Sequence, residues 1–258
     1  HVCALSGFDT ILMDIRDEYV DRGLKTIYRN LERQVKKEKI SRSELESAIN
    51  IITTTTNYSS LSDSDLVIEA AVENQDIKSN IFTELDRTCN DSTILASNTS
   101  SISISKIAAT TKRPEKVIGM HFMNPVPIIK LVEIVRGKET DDTTTNEVIN
   151  VSEKMGKIPV QCNDSPGFIS NRILMPMINE AIFCLEQGVG SAESIDTIMK
   201  LGMAHPMGPL MLADLIGLDV CLNIINVLCT DFENDKYQPC PLLIKMVNNG
   251  HLGRKTGK

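Results

Sequence analysis

The sequence contains no tryptophan, and aromatic residues make up only 4% of it. A chain so poor in aromatic rings offers no stacking platform for unpaired bases. Positive charge is also short. Lys+Arg 27 against Asp+Glu 34 gives a formal net charge of -7, the wrong sign for a general nucleic-acid or anionic-membrane binder. No apolar run approaches the ~18 residues of a membrane span. Neither a C-x-x-C nor an H-x-x-x-H pair is present, so no metal site is expected. A phosphate-binding P-loop and a G-x-S-x-G nucleophile turn are missing too. The seven cysteines are odd in number and irregular in spacing, and no signal peptide precedes them. They read as reduced thiols in a cytosol-like compartment. The chain also opens at His1 rather than at a methionine, and therefore reads as a processed chain or a fragment.

What remains is a globular composition, 41% hydrophobic and 24% charged over 258 residues. At about 150 residues per domain this is between one and two domains. No internal repeat or low-complexity segment is visible. The first half alternates short apolar runs with amphipathic stretches. The runs predict strands over 10–15, 51–55, 65–70, 93–97, 117–123, 130–135 and 158–162. Apolar residues spaced by three or four predict helices over 18–39, 75–89, 103–110 and 144–155. His1 to Asp9 looks like the end of a helix that stops at Gly7. Alternation of this kind implies an α/β fold with a Rossmann-like, mostly parallel sheet covered on both faces. After Cys162 only helical patterns appear, over 168–187, 192–201, 208–216, 218–234 and 240–249, punctuated by Gly and Pro. The expected division is an α/β domain over 1–162 and an all-helical domain over 163–258.

Several residues carry chemical meaning in this frame. Asp14 stands at the carboxyl end of a strand, where a dinucleotide-binding unit places the acid that accepts ribose hydroxyls. An isolated strand-end acid is more often a turn or cap residue. Ala96-Ser97-Asn98-Thr99-Ser100-Ser101 follows a buried strand and precedes a helix, at the sheet edge where open α/β sheets bind ligands. An ordinary Ser or Thr helix cap is the plain alternative. His121 lies in an apolar strand before the Pro-bounded loop Asn124-Pro125-Val126-Pro127, and a lone strand histidine is usually a core residue. Glu133 changes that weighting, because a carboxylate in the apolar run Lys130-Leu131-Val132-Glu133-Ile134-Val135 must be paired to be buried. A carboxylate on one imidazole nitrogen fixes the tautomer and supports the imidazolium formed when the other nitrogen takes a proton. Asn171, one turn into a helix, can offer an amide to a substrate oxygen or make an ordinary structural bond. Lys25, Arg29, Arg33, Lys36 and Lys37 put a basic face on the first long helix. That face is either solvated or a landing site for a phosphate-bearing substrate.

Taken together, these residues resemble the 3-hydroxyacyl-CoA dehydrogenase family, and within it the short 3-hydroxybutyryl-CoA dehydrogenase-like members. The resemblance covers essentially the whole chain. Ser97-Asn98-Thr99-Ser100-Ser101, His121 to Pro127 with Lys130-Leu131-Val132-Glu133, and Ser165-Pro166-Gly167-Phe168-Ile169 with Asn171-Arg172 carry it. His205-Pro206-Met207-Gly208-Pro209 and Gly253-Arg254-Lys255-Thr256-Gly257 complete five motifs in order. The resemblance implies reversible oxidation of a 3-hydroxyacyl-CoA with NAD as hydride acceptor. It makes His121 the general base and Glu133 its partner, with Ser100 and Asn171 on the substrate oxygen. It places Asp14, Glu73, Lys78, Ser100, Asn124 and Lys255 against the cofactor, and the basic helix, with Lys37, against the CoA phosphates. It further implies an acyl-CoA partner and a homodimer formed through the helical domain, without metal, nucleic acid or membrane. The compartment would be the cytoplasm, the peroxisome or the mitochondrial matrix.

The pattern departs from the family at its start. Members begin with a strand and a G-x-G-x-x-G loop that holds the pyrophosphate at a helix N-terminus, and this sequence enters inside that helix. About 15–20 residues are expected upstream. Their lack would weaken NAD binding and leave neighbouring strands with open edges. Two alternatives stand beside the leading reading: a crystallin-like or sugar-acid dehydrogenase of the same plan, and a scaffold that keeps the fold without turnover.

Overall fold

The computed structural model describes residues 1–257 and divides into two compact units, His1–Asp164 and Ser165–Lys258. The first unit opens with helix α1 (Val2–Leu5), which ends at Gly7 with φ +83, a backbone state that glycine adopts without steric cost. Strand β1 (Thr10–Met13) and helix α2 (Asp17–Lys36) follow. Helix α2 stops three residues short of the expected 39, because Glu38 turns into the left-handed region with φ 53. Helix α3 (Arg42–Asn50) has no counterpart in the sequence reading. Its signal is the capping box, in which Ser41 accepts from the Glu44 N–H and Glu44 accepts from the Ser41 N–H. This S-x-x-E pattern precedes the buried Leu45 and Ala48, as expected of a helix start.

The rest of the unit is β2 (Ile52–Thr55), β3 (Leu66–Glu69), α4 (Gln75–Thr88), β4 (Ile94–Ser97) and α5 (Ile104–Ala108). Then come β5 (Val117–Phe122), β6 (Leu131–Arg136), α6 (Asp142–Lys154) and β7 (Ile158–Asn163). The strands form two sheets, a parallel pair β1-β2 and a five-stranded sheet ordered β3-β4-β5-β6-β7. Strands β3, β4 and β5 are parallel, but β6 runs antiparallel to β5, and β7 is parallel to β6. The sheet is thus mixed rather than parallel throughout. Only residues 123–130 join β5 to β6, too few for the crossover of about a dozen residues that a parallel pair needs. The chain must therefore double back.

That reversal puts the central strands in a dry core. Ile94, Ala96, Ile118, Met120, Val132 and Ile134 pack with Val148 and Met155, contributed by α6 and the residue that ends it. Each large aliphatic side chain so buried is worth about 1.5–3 kcal/mol. Gly119 is dictated by the close approach of β6 and α5: a Cβ there would lie 2.7 Å from Val135 Cβ and 3.0 Å from Ile104 Cδ1. Strand β7 runs on to Asn163, and the Asp164 carboxylate accepts from the Ser103 hydroxyl and the Ser105 N–H at 2.7 and 2.8 Å. These bonds keep Asn163 and Asp164 with the first unit.

The second unit is all helical: α7 (Ser170–Glu186), α8 (Ala192–Gly202), α9 (Pro209–Ile216), α10 (Leu218–Phe232) and α11 (Pro241–Asn248). Its core gathers Met175, Ile178, Ile182, Cys221, Ile225 and Leu228 with Leu243. Among the described residues no single helix is long and apolar enough to cross a membrane. Helices α9 and α10 reach that composition together, but they bend by 99° at their junction.

Candidate active site

His121 and Glu133 are opposed residues of the β5–β6 ladder. Antiparallel partners on one face bring their side chains together, and His121 Nδ1 lies 2.7 Å from Glu133 Oε2. Both are buried, at 6% and 3% exposure. A carboxylate can only accept, so Nδ1 carries a proton, and Nε2 is the nitrogen that can take one in the neutral ring. The arrangement is a pre-aligned general base, with the acid placed to hold the imidazolium.

A second cluster forms at the carboxyl ends of β3 and β4. Glu73 Oε1 accepts from the Thr99 hydroxyl at 2.6 Å, from the Ser100 and Ser101 N–H groups at 2.9 and 3.0 Å, and from the Ser101 hydroxyl at 3.0 Å. The polar loop after β4 is therefore wrapped around one carboxylate oxygen. Burial pushes the Glu73 carboxyl up. The bonds from Thr99, Ser100 and Ser101, together with the Lys78 ammonium, outweigh it and hold the group below the usual glutamate value.

Lys78 occupies a place the sequence did not foretell. It is fully buried, with Nζ 2.8 and 2.9 Å from the two oxygens of Glu69 and 3.6 Å from Glu73 Oε2. The resemblance sets Lys78 against the cofactor, and the structure gives its ammonium this buried ion pair. Glu69 received no role from the sequence. The signal was available, because Glu69 ends the apolar strand Leu66-Val67-Ile68-Glu69 and the reasoning applied to Glu133 covers it. Asn98 was also left without a role. Its side-chain oxygen accepts the Phe122 N–H at 2.9 Å, and its own N–H donates to the Glu69 carbonyl at 2.7 Å. Asn98 thus braces the ends of three adjacent strands, one residue beyond His121. Across the 123–130 loop, the buried Lys157 ammonium donates to the carbonyls of Val126 and Ile129, tying down the connection between the His121 and Glu133 strands.

Asp14 follows β1 as an exposed residue, with Oδ1 accepting the Ile15 N–H at 2.7 Å. An exposed acid at a strand's carboxyl end, with only one oxygen engaged among the described residues, suits the hydroxyls of a ribose. Asn124 is exposed at the start of the loop after β5. The basic face of α2 borders an open depression of about 630 Å³ lined by Arg22, Lys25 and Arg29, with Glu18 and Asp21 beside them. Arg33 and Lys37 do not line it; Lys37 is exposed at the helix end.

In the helical unit, Asn171 is buried in the first turn of α7. The turn that launches this helix depends on Gly167, at φ +72, where a Cβ would meet Leu228 Cδ2 at 2.7 Å. Lys255 pairs with Asp219, and this bond from the ammonium is what holds the Asp219 carboxyl below its usual value. Among the described residues no group of three His, Cys, Asp or Glu side chains could hold a metal ion.

The chain resembles known proteins over its full length. The family model for the 3-hydroxyacyl-CoA dehydrogenase NAD binding domain matches residues 1–165, and that for the C-terminal domain matches 167–258. A probable 3-hydroxybutyryl-CoA dehydrogenase from Bacillus subtilis is 51% identical over 253 residues, covering 98% of this chain and 88% of the relative. The mitochondrial hydroxyacyl-coenzyme A dehydrogenase of Homo sapiens is 40% identical, covering 100% and 84%. The crystal structure of (S)-3-hydroxybutyryl-CoA dehydrogenase from Ralstonia eutropha superimposes with a TM-score of 0.97 at 49% identity, covering 100% of this chain and 91% of that one.

Proposed function

The chain belongs to the 3-hydroxyacyl-CoA dehydrogenase family, and from that premise we propose which of its residues carry the reaction. It is an NAD-dependent oxidoreductase that interconverts a 3-hydroxyacyl-CoA and its 3-oxoacyl-CoA. The observation that supports the assignment best is the buried His121–Glu133 contact at 2.7 Å. In the oxidative direction His121 Nε2 takes the proton of the substrate's 3-hydroxyl group. Glu133, bonded to Nδ1, holds the resulting imidazolium. Ser100 donates its hydroxyl to the substrate oxygen, so that developing charge meets a fixed donor. Asn171 serves the same oxygen; this assignment rests on its place in the family's Ser-Pro-Gly-Phe-Ile-x-Asn-Arg motif.

The residues present fit a dinucleotide. NAD, when bound, supplies the acceptor for the C3 hydride. Asp14 holds the adenosine ribose, and Asn124 and Ser100 line the nicotinamide side. Lys255 is assigned to the cofactor by resemblance, with its ammonium on Asp219 as the tie to break. The basic face of α2, from Arg22 to Arg29 and on to Lys37, takes the CoA phosphates. A short acyl chain is the natural substrate. We place the enzyme in a reducing intracellular compartment, consistent with free thiols at all seven cysteines. The test is spectrophotometric: NADH oxidation with acetoacetyl-CoA, and NAD reduction with 3-hydroxybutyryl-CoA. Turnover in both directions supports the reading, and no turnover with either thioester overturns it.

A further inference from the structure

The cluster beside the His121–Glu133 pair contains two carboxylates that share one lysine, and only one of them reaches the Ser100 loop. Glu69 is saturated by the protein itself. Its oxygens accept from the Lys78 ammonium at 2.8 and 2.9 Å, from the Ser97 hydroxyl at 2.6 Å and from the Ala71 N–H at 2.5 Å. It is buried at 5% exposure, and its oxygens are taken up by these donors of the protein. Lys78 in turn faces the Glu73 carboxylate at 3.6 Å, and Glu73 gathers the backbone of Ser100 and Ser101. Within a low-dielectric setting, a charge chain of this kind sets positions as well as energies.

We propose that Glu69 is a positioning residue for the reaction. Its carboxylate fixes the Lys78 ammonium, the ammonium draws Glu73 into place, and Glu73 holds the 99–101 loop so that the Ser100 hydroxyl stands where the substrate oxygen develops charge. Ser97, the last residue of β4, adds a direct tie from Glu69 to the root of the same loop. Lys78 acts in this chain of contacts through Glu73. The proposal rests on the role given to Ser100 above.

The experiment pairs amide hydrogen exchange with steady-state kinetics on the full chain. Glu69→Gln keeps the shape and removes the charge. The expected result is exchange at least tenfold faster at Ser100, Ser101 and Ile102, with the β5 and β6 amides unchanged, and kcat lowered at least tenfold at a KM for acetoacetyl-CoA within twofold. Ser97→Ala gives the same local pattern more mildly and serves where Glu69→Gln folds poorly. Asp86→Asn breaks another buried ion pair, that with Arg113, and is expected to lower Tm while leaving exchange at 99–102 and kcat alone. Unchanged exchange at 99–102 in a folded variant overturns the proposal, and so does a uniform increase across the first unit. Local loosening with unchanged kcat overturns it as well. If the parent chain shows no turnover, the functional reading fails, and the exchange data still decide whether Glu69 holds the loop.

Discussion

His121 and Glu133 stand directly opposite one another on the only antiparallel ladder among the described strands, with Nδ1 and Oε2 2.7 Å apart. The relationship is rigid, because both strands are paired on their other sides as well, β5 with β4 and β6 with β7. Glu133→Gln keeps the volume but removes the charge that supports the imidazolium, and the amide can present a donor where Nδ1–H needs an acceptor. Turnover is expected to fall by about 10²–10⁴-fold, with little change in KM for the acyl-CoA. His121→Gln removes the base while leaving an amide that can still donate to Glu133, so the fold should persist. A variant at either position within a few-fold of the parent would remove the pair from the mechanism.

The substrate-oxygen donors should behave differently from the base. Ser100→Ala leaves the backbone N–H to Glu73 in place and deletes only the hydroxyl. Losing one preorganised donor is worth about 10²–10³ in kcat. Asn171→Ala is expected to give a loss of the same order if that amide reaches the substrate oxygen. The two single variants and the double, measured as kcat/KM with acetoacetyl-CoA, separate a shared oxygen site from independent effects. Additive losses in free energy would argue that the residues do not serve one oxygen together.

How much of this was legible beforehand depended on the range of the interaction. Helices such as α4 and α10, and the strands carrying His121 and Glu133, announce themselves through apolar spacing within a dozen residues. The His121–Glu133 pairing was also within reach, because a carboxylate in an apolar strand demands a partner and the short loop limits where that partner can be. Helix α3 was legible only through its capping box, since its apolar face is just Leu45 and Ala48 with Ile49 partly covered. Lys78 could not be placed from sequence. An ammonium on an amphipathic helix reads as solvated, and only the end of β3 packed beside α4 turns it inward onto Glu69. Lys255 is similar: its partner Asp219 lies 36 residues away, and no spacing rule connects them.

The helical unit carries an apolar surface that its own core leaves uncovered. Helix α8 has no buried residue, and Ile198, Leu201 and Met203 are 61%, 81% and 61% exposed. Apolar side chains grouped this way mark an association face more often than a solvated one. The helical unit is expected to pair with a second copy of the chain. Light scattering should give a dimer for the parent, and Leu201→Glu together with Ile198→Glu should give a folded monomer by circular dichroism. A parent that runs as a monomer across micromolar concentrations would rule this face out.

Acid should loosen the Ser100 loop before it unfolds the sheet. The Glu73 carboxyl is the group concerned, and it is faced by Thr99, Ser100, Ser101 and the Lys78 ammonium. Burial raises its pKa, but those four partners outweigh burial, and its folded value lies below that of a free glutamate. A carboxyl whose folded pKa is depressed contributes stability that is fully present above the unfolded value, about 4.3 for glutamate. That contribution is lost as pH falls through the folded value. Exchange at Ser100, Ser101 and Ile102, corrected for the intrinsic pH dependence and referenced to β5 amides, should therefore be flat from pH 7 to about 4.5 and rise only below about 4.3. Glu73→Gln should show the loosened loop at every pH, because a neutral amide cannot match a carboxylate that accepts four donors. Loosening that begins between pH 6 and 5 would mean that another group controls the loop, since a depressed carboxyl does not titrate there.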